Sequence, residues 1–185
     1  NLGLLFFNKQ NEESLIKAEK YYKKAISINN KIAEAHTNLG NLYSFLNKTE
    51  ESIKCYKNAI LINPRFSYAF FNLANRYLEM GNLKESELNL RKSIDINNTL
   101  GVAHRLLSRI IKYNNKEPHF NQLNKNYKEA KNKKMKDEEE YAFALGKANE
   151  DIGNIDDSFK YYMEANSFYR KKINFSIQEE KNYFS

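Results

Sequence analysis

Along most of the chain apolar residues recur three and four positions apart, the spacing that gathers them on one face of an α-helix. In Ala33-Glu34-Ala35-His36-Thr37-Asn38-Leu39-Gly40-Asn41-Leu42-Tyr43, large residues take the fourth and eleventh places, Leu the seventh and Gly the eighth. The arrangement returns 34 residues later in Ser67-Tyr68-Ala69-Phe70-Phe71-Asn72-Leu73-Ala74-Asn75-Arg76-Tyr77. The second half of the unit repeats as well, Ser52, Ile53, Tyr56, Ala59, Ile60 and Ile62 corresponding to Ser86, Glu87, Leu90, Ser93, Ile94 and Ile96. Two helices per unit are predicted. The short intervals around Asn47 and Gly81 leave room only for a tight antiparallel turn between them.

Carried along the chain, the period predicts one repeat domain over 1–185, with units at about 1–32, 33–66, 67–100, 101–138 and 139–172 and a C-terminal helix at 173–185. The first unit is expected to be truncated, its first helix beginning at or before residue 1. The fourth is expected to be irregular: His104, Leu107, Ser108 and Ile111 keep the first-helix face, but Leu123, Tyr127 and Ala130 after Pro118 fall in another register, and Lys131 to Lys136 read as a solvated connection. Regular pattern returns at Tyr141 to Gly146, turns at Gly153-Asn154 and continues through Phe159, Tyr162, Ala165 and Phe168. Asn82 before Glu85 and Asn154 before Asp157 have helix-capping spacing, and Ser176-Ile177-Gln178-Glu179 reads as a capping box ahead of a short helix carrying Tyr183 and Phe184. That terminal helix is expected either to cover the last apolar face or to start a linker. Small residues at Gly40, Ala74, Ser108 and Gly146 are expected to let helices approach closely, under the bulk of Tyr56, Leu90 and Tyr162.

Composition agrees with many helices on short connections: there are 6 Gly and 2 Pro to make turns, and 41% of residues are hydrophobic against 29% charged, the balance of an ordered globular chain. No stretch is long and apolar enough for a membrane span. The lone Cys55 excludes an intrachain disulfide and fits a reducing, cytoplasmic setting. The apolar edge at Leu4, Phe6 and Phe7 is read as a cut edge or a surface for another chain. A formal charge of +7 favours acidic partners without marking a nucleic-acid binder, since no basic tail or nucleic-acid motif accompanies it.

No catalytic constellation is found. His36 and His104 occupy equivalent apolar-face places, His119 lacks a paired metal motif, Cys55 has no Cys-x-x-Cys partner, and no phosphate or dinucleotide loop is present, so no metal, cofactor or catalytic residue is assigned. Glu138, Glu139 and Glu140 read as exposed charges at a helix start. The binding candidates are polar residues that repeat outside the apolar face: Asn38 with Asn72, and Asn41 with Asn75, on successive first helices. An amide both donates and accepts, which suits the backbone of an extended peptide. Asn is abundant here, so the ladder is weighed against compositional coincidence.

These residues resemble the tetratricopeptide repeat, whose 34-residue helix-turn-helix unit carries the same aromatic, Leu-Gly, Tyr, Ala and Pro places, with Asn63-Pro64 closing a unit. The resemblance implies an all-α, right-handed solenoid of antiparallel helix pairs that acts as a protein-protein interaction scaffold, with a protein or extended peptide in its concave groove. The groove asparagines are similar to those of tetratricopeptide domains that bind extended peptides, and Asn41, Asn72, Arg105 and Arg109 resemble the family's carboxylate clamp. They depart from it at Thr37, where the clamp has Lys, and at Leu106, where it has Arg. The expected binding groove is therefore Asn38, Asn41, Asn72, Asn75, Arg105 and Arg109, with an acidic peptide preferred. Residues 101–185, through Gly101 to Ser108, Phe143 to Asp151 and Tyr169 to Lys172, also resemble the tetratricopeptide region preceding a sulfotransferase domain. That implies an alternative role, positioning an in-cis sulfotransferase domain or its acceptor, with no catalysis in this chain because the phosphate-binding loop is missing.

Overall fold

In three of the helix pairs the first helix stops where one residue turns left-handed. Asn47 (φ 56°), Gly81 (φ 74°) and Gly153 (φ 83°) stand at equivalent places in the turns between paired helices. In all three the next amide reaches back to the last turn: Lys48 N to the Tyr43 carbonyl at 2.8 Å, Asn82 N to Tyr77 at 2.8 Å and Asn154 N to Asn149 at 2.9 Å. This is the Schellman closure, which satisfies carbonyls that the helix end would otherwise leave unpaired. Asn82 also caps the following helix, accepting from Glu85 N at 3.3 Å. Asn154 does not repeat this device; its side-chain amide donates to Asn149 Oδ1 at 3.4 Å.

The computed structural model describes residue 3, residues 11–114 and residues 116–183, with side chains to residue 171 apart from Tyr169. Among these, helices α1 (Glu12–Ile28), α2 (Ala33–Phe45), α3 (Thr49–Ile62), α4 (Ser67–Glu79), α5 (Leu83–Ile96), α6 (Gly101–Ile110), α7 (Pro118–Lys133), α8 (Glu138–Asp151) and α9 (Ile155–Tyr183) follow one another without a strand. The all-α expectation holds: α2 pairs with α3, α4 with α5, and α8 with α9, as a solenoid of antiparallel helix pairs. The chain divides into two compact units, 1–97 and 98–185. The apolar edge at Leu4, Phe6 and Phe7 lies outside the described residues.

In the first unit, α1 packs on α2 and α3 on α4, around a core containing Leu15, Ala18, Tyr22, Leu39, Leu42, Tyr43 and Cys55. Cys55 is 7% exposed, and burial pushes its thiol up to about 11. In two of the helix pairs the small residue of the first helix sits under a ring of the second. A Cβ placed on Gly40 would lie 2.6 Å from Tyr56, and one on Gly146 would lie 2.7 Å from Tyr162. Neither close approach leaves space for a methyl group.

The second unit departs from the repeat where irregularity was expected. Helix α6 packs chiefly on α8, as does α7, while α6 and α7 make little close helix contact with each other. A buried polar network joins them instead. His104 Nδ1 lies 2.8 Å from His119 Nε2, and His119 Nδ1 lies 2.6 Å from the Tyr113 hydroxyl. His104 Nε2 meets the Asn98 carbonyl at 2.9 Å, the bond that His36 Nε2 repeats with the Asn30 carbonyl at 3.2 Å, so the two histidines do share one structural place. With each ring protonated on Nε2, the run from Tyr113 to Asn98 is satisfied and both histidines are neutral. His119 is thus a structural partner of His104, which spacing alone did not reveal.

Two further readings are corrected. Lys131 and Lys133 are helical, not part of a solvated connection; α7 ends at left-handed Lys134 (φ 50°), and Lys131 joins Tyr127 and Glu164. The short helix expected after Ser176 is absent as a separate element, because α9 runs unbroken from Ile155 to Tyr183. No Pro or Gly interrupts that span, so nothing turns the chain out of the helix for a serine to cap. Phe184 lies outside the described residues.

Two measurements probe this packing. Urea unfolding should show that Gly40→Leu costs about 1–3 kcal/mol through overpacking against Tyr56. Gly81→Ala, whose Cβ would meet nothing within 4 Å, should cost about 1 kcal/mol through backbone strain alone. Equal losses at solvent-facing glycine and ring-covered glycine would contradict the assigned causes.

A third concerns pH. Burial pushes His104 down from 6.5 to about 4, with the Asn98 carbonyl and Asp137 opposing. The unfolded chain therefore binds a proton below pH 6.5 that the folded chain refuses until about pH 4, so this stability is complete above 6.5 and drains away across that window. Between pH 7 and pH 5 the second unit should lose about 2 kcal/mol. In His104→Gln the same interval should be flatter, and a wild-type profile flat from 7 to 5 would overturn the account.

Candidate functional site

The site begins with Tyr56. Because its ring lies against Gly40, the hydroxyl is carried past the core to the next residue of α2 and donates to Asn41 Oδ1 at 2.8 Å. Asn72 Nδ2, from α4, donates to the same oxygen at 3.0 Å. The two asparagines singled out on neighbouring first helices are therefore joined, with Tyr56 as their common anchor. Burial, partly opposed by the charge of Arg76, pushes the Tyr56 hydroxyl far above its ordinary range, so it is a fixed proton donor at every physiological pH.

Around this junction lies a cavity of about 390 Å³ lined by Asn41, Ser44, Phe45, Tyr56, Asn72, Asn75 and Arg76. Asn75 borders it without a hydrogen-bond partner among the described residues, and its half-buried amide is available to a ligand. Asn38 is half-buried one turn before Asn41 and does not line the cavity. Arg76, 9% exposed, donates from Nη2 to Glu79 one turn further along α4. Arg76, Ser44, Phe45 and the Tyr56 hydroxyl were not among the sequence-derived site residues. A signal for Arg76 was present: its equivalents in the units beginning at 33, 101 and 139 are Leu42, Ile110 and Ala148, so it sets a charge where these three units have an apolar residue.

Arg105 and Arg109 belong to the second unit, one turn apart on α6. Arg109 is exposed. The Arg105 guanidinium already makes a charge-assisted contact: Nη1 lies 3.2 Å from Glu140 Oε2, and Cζ lies 4.1 Å from the Phe143 ring centroid. A ligand carboxylate at Arg105 must compete with Glu140. Thr37 and Leu106, at the places where a clamp carries cations, are both buried, and Thr37 Oγ1 donates to the Ala33 carbonyl at 3.0 Å. Of the acidic run at the start of α8, Glu140 is this partner of Arg105 and Glu139 is buried at 4% exposure, so the run is not a wholly exposed face. Among the described residues no three of His, Cys, Asp and Glu are grouped to hold a metal ion. No described helix is long and apolar enough to cross a membrane.

Residues 33–66 match the tetratricopeptide repeat, and residues 72–106 match it again. No curated protein matches the chain. Among solved structures, MamA is 20% identical, with 90% of this chain and 95% of that one covered and a TM-score of 0.62; a second MamA structure gives 17%, 94%, 95% and 0.60. YrrB, described as a TPR protein with an unusual peptide-binding site, is 15% identical, with 83% of this chain and 77% of that one covered and a TM-score of 0.59. At such identities the likeness is one of fold, and the fold is that of tetratricopeptide-repeat proteins.

Proposed function

We propose that this chain, with tetratricopeptide repeats at 33–66 and 72–106, is a protein-interaction scaffold that takes an extended peptide on the face of α2 and α4. The carrying observation is the amide junction of Asn41, Asn72 and Tyr56 at the wall of the 390 Å³ cavity. Such a junction holds two side-chain amides in fixed orientation, so their remaining donors and acceptors can meet a peptide backbone at little ordering cost. Asn38 and Asn75 extend the same function along their helices. Arg105 and Arg109 are proposed as contacts for acidic residues in the second unit. The kinship of fold with YrrB, whose description includes a peptide-binding site, supports the choice of ligand class.

The likeness of residues 101–185 to a sulfotransferase-linked region supports a second reading, in which the chain positions an in-cis sulfotransferase domain or its acceptor. A reading frame continuing into a mixed α/β domain with a phosphate-binding loop would favour it. The chain by itself should transfer no sulfate from a phosphoadenosyl sulfate donor, and donor-dependent turnover above blank would contradict the noncatalytic role.

For a peptide selected by display against the purified chain, calorimetry should show Asn72→Ala weakening acidic and neutral versions alike by about 0.5–1.5 kcal/mol, the value of one hydrogen bond. Arg109→Ala should reduce only the preference for the acidic version, and added salt should act in the same direction. Unchanged affinity in both variants, with helicity preserved, would reject the groove.

A further inference from the structure

The repeat places Leu42 and Ala148 fully buried at the position where α4 has Arg76. A guanidinium in an apolar slot is costly unless its donors are used. It has five N–H groups, yet Glu79, half exposed at the rim, is its one hydrogen-bond partner among the described residues. Arg76 lines a cavity that also presents the amide of Asn75, unpartnered among the described residues, the hydroxyl-bearing Ser44 and the Asn41–Asn72 junction. The phenol of Tyr56 is directed to Asn41 and does not neutralise the charge.

We infer that Arg76 is the anchor of a carboxylate-binding subsite in the first unit, and that Glu79 occupies its guanidinium until a ligand carboxylate displaces it. This deepens the groove reading and rests on it. The geometry suits a planar carboxylate, which accepts two parallel N–H bonds from one guanidinium while Asn75 donates to a remaining lone pair. An acidic side chain and a peptide C-terminus share that chemistry. Glu79 sets the selectivity: a neutral ligand cannot replace its charge, so the subsite opens to anions and stays closed to amides. Arg76 is thereby a specificity residue for the ligand, distinct from the backbone-reading asparagines.

Three probes separate these possibilities by titration of the ¹⁵N-labelled chain, read at the side-chain amides of Asn41, Asn72 and Asn75: acetyl-Ala-Ala-Glu-Ala-Ala-amide, its Gln counterpart, and the Gln peptide with a free C-terminal carboxylate. The Glu peptide should bind about tenfold more tightly than the Gln amide, as expected for one charge-assisted hydrogen bond. A matching gain for the free C-terminus would identify a terminal carboxylate as an equal occupant; no gain would restrict the subsite to side chains. In Arg76→Gln the discrimination should vanish while the Gln peptide still shifts the asparagine amides. Glu79→Gln should tighten the Glu peptide several-fold. Arg76→Leu, restoring the residue type of Leu42, should melt higher than wild type and also lose discrimination, which separates a role in recognition from a role in folding. Equal binding of Glu and Gln peptides to wild type overturns the subsite but leaves the groove standing. If none of the probes shifts the asparagine amides, the groove reading falls with it.

Discussion

The contact on which the rest depends is the one between a side chain of hydrogen and a phenol ring. Gly40 under Tyr56 and Gly146 under Tyr162 bring paired helices closer than any residue with a Cβ permits, and the same relation places Gly3 against Tyr22. A ring held this way has little choice of direction. Its hydroxyl emerges at a set point on the first helix: Tyr56 reaches Asn41, and Tyr162 reaches Glu150 Oε2 at 3.1 Å. Packing and polar chemistry are thus two ends of one side chain. The interior determines where a polar group appears at the surface.

The two units use polar burial differently. The first keeps a buried cation beside a cavity, and the pairing across α2 and α4 runs through neutral amides. The second closes its interior with neutral rings: the Tyr113, His119 and His104 run ends on a backbone carbonyl, and Asn126 Nδ2 donates to the same Asn98 carbonyl. All four ring nitrogens of His104 and His119 already have partners. It replaces the close helix contact that α6 and α7 lack, and hydrogen bonds have the directionality to set a helix register that apolar packing there does not.

How far the chain could be read without its fold depends on whether a residue's role is local or spatial. Asn82 as a cap and the tight turn around Gly81 are local, and both are found as expected. The pairing of His104 with His119 joins helices whose register breaks the period, so no spacing rule reaches it. Tyr56 was legible as bulk, because periodicity reports which face a residue occupies and is silent on where its hydroxyl ends. Arg76 passed as one more residue of the repeated stretch; the site is legible there only once burial shows that the charge lies inside. Ser176 illustrates the opposite error, a valid capping pattern in a stretch where the chain never leaves the helix.

Cys55 has a consequence of its own. It is the chain's single thiol, packed among Leu15, Leu39, Leu42 and Tyr43, and burial keeps it protonated at neutral pH. A thiol reagent attacks the thiolate and needs room to approach, so the folded first unit offers it neither. Labelling then proceeds at the pace at which α2 and α3 part, and the natural sequence contains an internal clock for the breathing of that helix pair.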